Sequence, residues 1–311
     1  MASSLSVLIP TAGDRLDLLK RSLESLAQCD RPSIYRETVI IENGGKRGVE
    51  DIVRPFTASL DARYLFDPMG NKSNALNTAL KSMGEGLIIL LDDDVRLSPG
   101  VLQDYAKAAH GMESGLFFGG PCEVDFEVPP PAWLLPHLPS SARGWRLEPG
   151  QVLGQRCFLG FNWAAFAGDL RRAGGFDPTR GPGAPIPSQE TEMQERLRRH
   201  GNVGRYVPDA LVWHYVAADR CTPQWVVKRH HRRCVGKIAE MPAGVKKQCM
   251  TRMKASGRRL AAMAYHLAAL TGSPRMAFLA QLQFAMASGM IAGLSYRRPE
   301  GPEFESVTQK K

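Results

Sequence analysis

Through its first two-thirds the chain alternates short β-branched runs with stretches whose apolar residues recur every three or four positions. LSVLIP (5–10) is continuously apolar, as in a strand buried on both faces, and an amphipathic helix is predicted over 16–27 after the polar turn TAGDR. TVIIEN (38–43) and ARYLFD (62–67) read as further strands. NKSNALNTALKSMG (71–84) reads as a helix, with Ala75, Leu76, Ala79 and Leu80 at helical spacing. LIILLDDD (87–94) is a fourth strand, and Ser98-Pro99 has the residue types that open a helix. This βαβ order predicts an α/β fold with a mostly parallel sheet, whose ligands gather at the carboxyl ends of its strands. Glu42 and the triplet Asp92, Asp93 and Asp94 both fall at such ends.

The middle is less regular. EVPPPAWLLPHLPSS (127–141) is too rich in proline for a helix and is expected as a surface excursion. Residues 152–178 read as a strand, a bend at Gly160, a second strand and a short helix stopped by Gly174-Gly175. GPGAPIPS (181–188) has the composition of a mobile loop, followed by the helix ETEMQERLRRHG and the strand-like RYVPDALVWHYV. From about Trp225 the pattern becomes helical. MTRMKASGRRLAAMAYHLAALTG places Leu260, Met263, Ala264, Leu267 and Leu270 on one side, and 276–294 runs nineteen residues without charge. That last stretch is at the lower edge of a spanning length and holds Gln281, Gln283 and two glycines; a helix in the interface or packed on the body is expected, with a spanning helix as the alternative.

Composition changes this picture in three places. With 43% hydrophobic residues in 311, the chain can build a full core, and disorder is expected only over the last dozen residues. Six scattered cysteines without a CxxC pair point to free thiols rather than a disulfide framework or zinc ribbon, and MASSLSVLIP lacks the basic region of a signal peptide; a cytoplasmic protein is expected. The net charge of +9 is unevenly placed. Residues 220–299 carry 15 Lys and Arg against the single acid Glu240, while the remainder holds 25 basic and 30 acidic residues. A mildly acidic body with a basic C-terminal segment points to a polyanionic partner, either a membrane surface or nucleic acid.

Three adjacent carboxylates repel one another and lose hydration where the strand leaves the core, so a cation is expected to compensate them. Mg²⁺ and Mn²⁺ prefer carboxylate oxygens and commonly bridge to substrate phosphates; a solvated acidic turn is the plain alternative.

In chain order, VLIPTAGDR, VIIENGG, GNKSNALNTAL, LLDDDV and SQETEMQERLRRHG followed by YVPDALVWHYV resemble the motifs of family 2 glycosyltransferases of GT-A fold, over roughly residues 5 to 216. The resemblance implies a Rossmann-like GT-A domain over about 1–219, a basic helical extension over 220–299 and a tail over 300–311. It implies an inverting transfer from a nucleotide-diphosphate sugar to a hydroxyl acceptor, with Mn²⁺ or Mg²⁺ as cofactor. Pro10, Thr11 and Arg15 would wrap the nucleotide. Glu42, beside Asn43, stands where relatives carry an aspartate that reads the base; Asn74 and Asn77 flank the nucleotide, and Lys72 meets a phosphate. Asp92 and Asp93 lie around ribose and metal, and Asp94 and His214 hold the metal. The base position falls on Glu190, with Glu192 as the fallback and Gln189 a departure from the usual acid. Asn162, Trp163, Gln189 and Glu192 would line the sugar and acceptor pocket, and Trp133 and Trp145 are candidates to stack on a sugar face. GPGAPIPS has the composition of a loop closing over bound donor. Acceptors of many relatives are lipid-linked, so the basic helices are expected at an anionic inner leaflet, in cell-surface polysaccharide or glycolipid assembly; nucleic acid is the lesser partner. The rival readings are a degenerate binding or scaffold subunit, kept open by Gln189 and the two Glu-for-Asp changes, and a nucleotidyltransferase, opposed by the single glycine of TAGDR.

Overall fold

The computed structural model describes residues 4–148, 151–182, 188–242 and 244–296, and divides between Cys221 and Thr222 into two compact units. In the first, the elements run β1 (Leu5–Thr11), α1 (Leu16–Ala27), β2 (Tyr35–Asn43), the short helices α2 (Val49–Val53) and α3 (Thr57–Leu60), β3 (Ala62–Asp67), α4 (Lys72–Ser82), β4 (Leu87–Leu91) and β5 (Val95–Leu97). Then come α5 (Val101–Ala108), β6 (Leu116–Gly119), β7 (Cys122–Phe126), β8 (Asn162–Phe166), α6 (Ala167–Arg172), α7 (Gln189–Arg199), β9 (Val203–Tyr206) and β10 (Val212–Val216).

Seven strands form the central sheet in the order β3-β2-β1-β4-β8-β6-β9. Four of its six pairings are parallel; β8 runs antiparallel to both β4 and β6. Apolar clusters cover both faces. Leu19, Leu23 and Leu26 of α1 join the odd-numbered residues of β1 on one side, and Leu76 and Leu80 of α4 join Leu8, Val39 and Leu90 on the other. Burial on both faces explains why β1 and β4 lack polar alternation. A second sheet, β5-β10-β7, stands beyond the end of β4 and carries His214 on its central strand.

Two local expectations are corrected. The helix foreseen from Ser98 begins at Val101 with Gly100 as its cap, because Ser98 Oγ makes no capping bond. Residues 152–161 form no strand; they run as turns and irregular chain, and only Asn162–Phe166 pairs.

The second unit is three helices, α8 (Pro223–Glu240), α9 (Val245–Ala269) and α10 (Pro274–Ser295). Thr222 caps α8 and Ser273 caps α10, each followed by proline at the first helical position. α10 is long and apolar enough to cross a membrane by length and composition. Within the unit it buries Phe278, Leu282, Ala287 and Met290, among others. A Cβ on Gly289 would lie 2.5 Å from the His231 carbonyl oxygen, so glycine there permits the close approach of α8. α9 packs through small residues, burying Thr251, Ala255 and Ala262, while Leu260, Met263, Leu267 and Leu270 stay exposed.

Candidate active site

The carboxyl ends of β1, β2 and β4 lie side by side, with Thr11 paired in register with Glu42. β4 ends at Leu91, and the three aspartates occupy the turn into β5. Their charges are answered first by the chain's own cations. Arg15 forks across two of them, Nη1 donating to Asp94 Oδ2 at 2.6 Å and Nη2 to Asp93 Oδ1 at 2.9 Å. The Thr11 hydroxyl donates to Asp93 Oδ2 at 2.5 Å, so both oxygens of Asp93 are engaged. Lys72, in the first turn of α4, donates to Asp92 Oδ1 at 2.6 Å and to Glu190 Oε1 at 2.8 Å. Burial works to lower the Lys72 pKa, but the two carboxylates more than reverse this, so the ammonium stays charged. Burial pushes the Asp92 carboxyl upward, and Lys72 opposes it.

One atom is left over. Asp94 Oδ1 is buried with no hydrogen-bond partner. Facing it at 3.6 Å is Nε2 of His214. The other ring nitrogen, Nδ1, lies 2.8 Å from the Ser141 carbonyl oxygen, which can only accept, so Nδ1 carries the proton and Nε2 presents its lone pair. Burial lowers the His214 pKa, outweighing Asp94, and stacking on Phe161 with ring centroids 4.4 Å apart fixes the ring plane. Two lone-pair atoms thus converge with no proton between them, and this donor set fits a divalent cation. Among the described residues no three of His, Cys, Asp and Glu form a cage on their own, so Asp94 and His214 would supply two ligands and leave the remainder to phosphate oxygens and water.

Glu190 comes to this cluster from α7. The residue before the helix, Ser188, has φ 73°, a left-handed conformation that serine rarely adopts, and Gln189-Glu190 follow at once. Gln189 is buried and donates to Glu190 Oε1 at 2.7 Å. The Glu190 side chain crosses directly over Gly160: a Cβ there would lie 2.3 Å from Glu190 Cδ. Residue 160 is therefore glycine because no side chain fits.

Several residues expected in the pocket serve elsewhere. Asn162 is fully buried; its Oδ1 accepts from Tyr105, and its amide donates to the carbonyls of Pro121 and Ala210, each at 2.8 Å. Trp163, also fully buried, packs edge-on against Phe176 in the core. Neither lines a sugar pocket, because β8 is covered on both faces. Glu192, the fallback base, is held in a helix ion pair, accepting from Arg196 Nε at 3.0 Å. Glu42 has both oxygens occupied, by Arg47 N and the Tyr64 hydroxyl, each at 2.6 Å, and so is not free to read a base edge as found. Its neighbour Asn43 donates to the Thr11 carbonyl at 2.8 Å. Lys72 binds carboxylates where a phosphate was expected. Pro10 is buried within β1. Asn74 lies half-buried in the first turn of α4, its N–H bonded by the capping side chain of Asn71. Asn77 clamps the backbone of Phe176 through both its amide nitrogen and its oxygen. Trp145 is packed edge-on against Phe158 and Tyr206. Trp133 lies half-buried in the proline-rich excursion. The expected closing loop falls mainly on 183–187, outside the described residues.

A sheet of this order, with an acidic turn at its centre and a carboxylate helix start facing it, defines a GT-A glycosyltransferase. Residues 6–155, just under half of the chain, match the model of glycosyl transferase family 2. No curated protein matches at the sequence level. Among solved structures, the mannosyltransferase PcManGT from Pyrobaculum calidifontis in complex with GDP-Man and Mn²⁺ is 15% identical, covers 93% of this chain and 86% of its own, and superposes with a TM-score of 0.57. TarS 1-349 of S. aureus in complex with UDP-GlcNAc is 13% identical over 81% of this chain and 71% of its own, with a TM-score of 0.51. GalNAc-T7 with UDP, GalNAc and Mn²⁺ is 13% identical over 78% and 52%, with a TM-score of 0.54. At these identities the likenesses speak to the fold.

Proposed function

We propose that the chain is a metal-dependent inverting glycosyltransferase that moves a sugar from a nucleotide-diphosphate sugar to a hydroxyl acceptor, in assembly of a cell-surface polysaccharide or glycolipid. The observation that carries this reading is the facing pair Asp94 Oδ1 and His214 Nε2, both without a hydrogen between them, beside a carboxylate held at the start of α7. Neighbours of the same fold hold GDP-Man with Mn²⁺ and UDP with Mn²⁺, which supports the same ligand classes here.

Asp94 and His214 would hold Mn²⁺ or Mg²⁺, which when bound neutralises charge developing on the leaving diphosphate. Thr11 and Arg15, at the end of β1, border the nucleotide. Arg15 already spans two carboxylates, so donor phosphates entering the site compete for its guanidinium. Glu190 is the general base: both of its observed bonds fall on Oε1, and Oε2 takes the proton of the acceptor hydroxyl as that oxygen attacks the anomeric carbon. Lys72 and Gln189 hold that carboxylate in place. The basic helical unit brings the site to an anionic membrane surface, where a lipid-linked hydroxyl is presented.

The test is thermal unfolding against a panel of sugar nucleotides, with and without Mn²⁺. A donor at about 100 times its Kd stabilises by roughly 2.7 kcal/mol. A Mn²⁺-dependent shift with one nucleotide, absent in Asp94→Ala, is expected; no shift with any nucleotide in folded protein overturns the reading.

A further inference from the structure

The helical unit leaves one apolar surface uncovered. Along α9 and its C-terminal cap, Met253, Leu260, Met263, Leu267 and Leu270 are between 65 and 76% exposed, while the opposite face of the helix packs through Thr251, Ala255 and Ala262. The exposed residues recur at seven-residue spacing, as 253, 260 and 267 and again as 263 and 270, so they form one continuous stripe down the helix. Five large apolar side chains in a row make a patch that calls for a partner.

Charge decides which partner. Arg252 and Arg259, each one position before a stripe residue, are exposed along its edge, and Lys246 and Lys254 are exposed on the same helix. Residues 241–299 contain no Asp or Glu. A seven-residue stripe also suits pairing with a second copy, but that would bring together two sets of the cations that border it (Lys246, Arg252 and Arg259), with no acid on residues 241–299 to answer them. Nucleic acid would satisfy the cations and leave the Leu and Met side chains with nothing to contact, since such grooves work by stacking bases on aromatics. A lipid surface with anionic headgroups answers both features: the stripe enters the acyl boundary and the cations meet phosphates. α10 has already spent much of its apolar surface inside the unit.

We propose that α9 lies in the plane of an anionic membrane, inserting Met253, Leu260, Met263, Leu267 and Leu270 and placing Arg252 and Arg259 on the headgroups. This rests on the membrane reading given above and names its contact face.

The experiment is flotation of the full chain with vesicles of phosphatidylcholine alone and with 30% phosphatidylglycerol. The wild type is expected to float with the anionic vesicles, not with the neutral ones, and to be released by 0.5 M NaCl. Arg252→Gln with Arg259→Gln lowers the partition coefficient by roughly 25-fold, about fivefold for each cation removed. Leu260→Glu with Leu267→Glu, at positions already facing solvent, abolishes flotation while the sugar-nucleotide thermal shift is retained. Asp94→Ala loses that shift and still floats, so failure of the lipid contact and failure of the catalytic reading give different patterns. The proposal is overturned if the folded Leu260→Glu, Leu267→Glu protein floats like wild type, or if wild type ignores anionic vesicles. It is equally overturned by a concentration-dependent dimer that this double variant dissolves.

Discussion

Gly160→Ala is a one-carbon test of how Glu190 is held. The added Cβ would lie 2.3 Å from Glu190 Cδ and 2.5 Å from both Cγ and Oε1. Ordinary carbon contacts begin near ~3.5 Å, so the carboxylate must retreat by roughly 1 Å. The 2.8 Å bond from Lys72 then opens beyond hydrogen-bonding range. Gly160 does not sit in the left-handed region, so alanine adopts its backbone without strain, and the crowded group is a side chain that can swing aside. The fold should survive; the placement of the base should not. Misplacing a reacting group by about 1 Å costs on the order of 100-fold in rate, or about 2.7 kcal/mol of barrier. The assay is release of nucleoside diphosphate from the donor identified by thermal shift, with water as the acceptor, alongside the Mn²⁺-dependent shift as a control for donor binding. Turnover should fall by that factor with the shift unchanged. In a Glu190→Gln background the same substitution should cost little more, because both changes act through one group. Wild-type turnover in Gly160→Ala, or an undiminished loss in the Glu190→Gln background, would refute the placement of the base.

Three further outcomes are expected. Chelation with EDTA should remove the sugar-nucleotide thermal shift, and added Mn²⁺ or Mg²⁺ should restore it; a shift that survives chelation would argue against Asp94 and His214 as ligands. Asn162→Ala strands the Tyr105 hydroxyl and the carbonyls of Pro121 and Ala210 in the core, at a cost of about 3 kcal/mol. Calorimetry should then show a Tm lower by roughly 6–12 °C, and a donor-binding defect at unchanged Tm would return Asn162 to the pocket. Burial pushes the Cys29 and Cys122 thiols up to about 12, so at pH 8 only about one in ten thousand is thiolate, whereas Cys249 is exposed. Alkylation followed by peptide mapping should mark Cys249 first and reach Cys29 and Cys122 only in denaturant.

Where structure follows from local pattern, the residues alone were enough. α1 over Leu16–Ala27 and β3 over Ala62–Asp67 fall where periodicity and β-branching place them, and the aspartate turn follows β4 directly. The order of strands and helices was sufficient for a mostly parallel sheet with its chemistry at the carboxyl ends. The partners in the site were a different matter. Arg15 meets Asp93 and Asp94 across 78 and 79 residues, Lys72 meets Glu190 across 118, and His214 is oriented by the Ser141 carbonyl 73 residues away. Backbone carbonyls carry no side-chain signature, so Ser141 left no trace in the sequence; Gly160 left one as an expected bend, but not its reason. Asn162 and Trp163 were misplaced for a related cause. In a strand buried on both faces the alternation of polar and apolar positions disappears, and a buried asparagine that pins three backbone or hydroxyl groups reads like one that faces a ligand. On α9 the apolar stripe was visible in the sequence, but only the packing showed that it points outward, because small residues on the opposite face allow the closer helix–helix contact. Residue type and spacing determined the elements and the chemistry available; long-range pairing decided which charge meets which, and which apolar face is left for a partner.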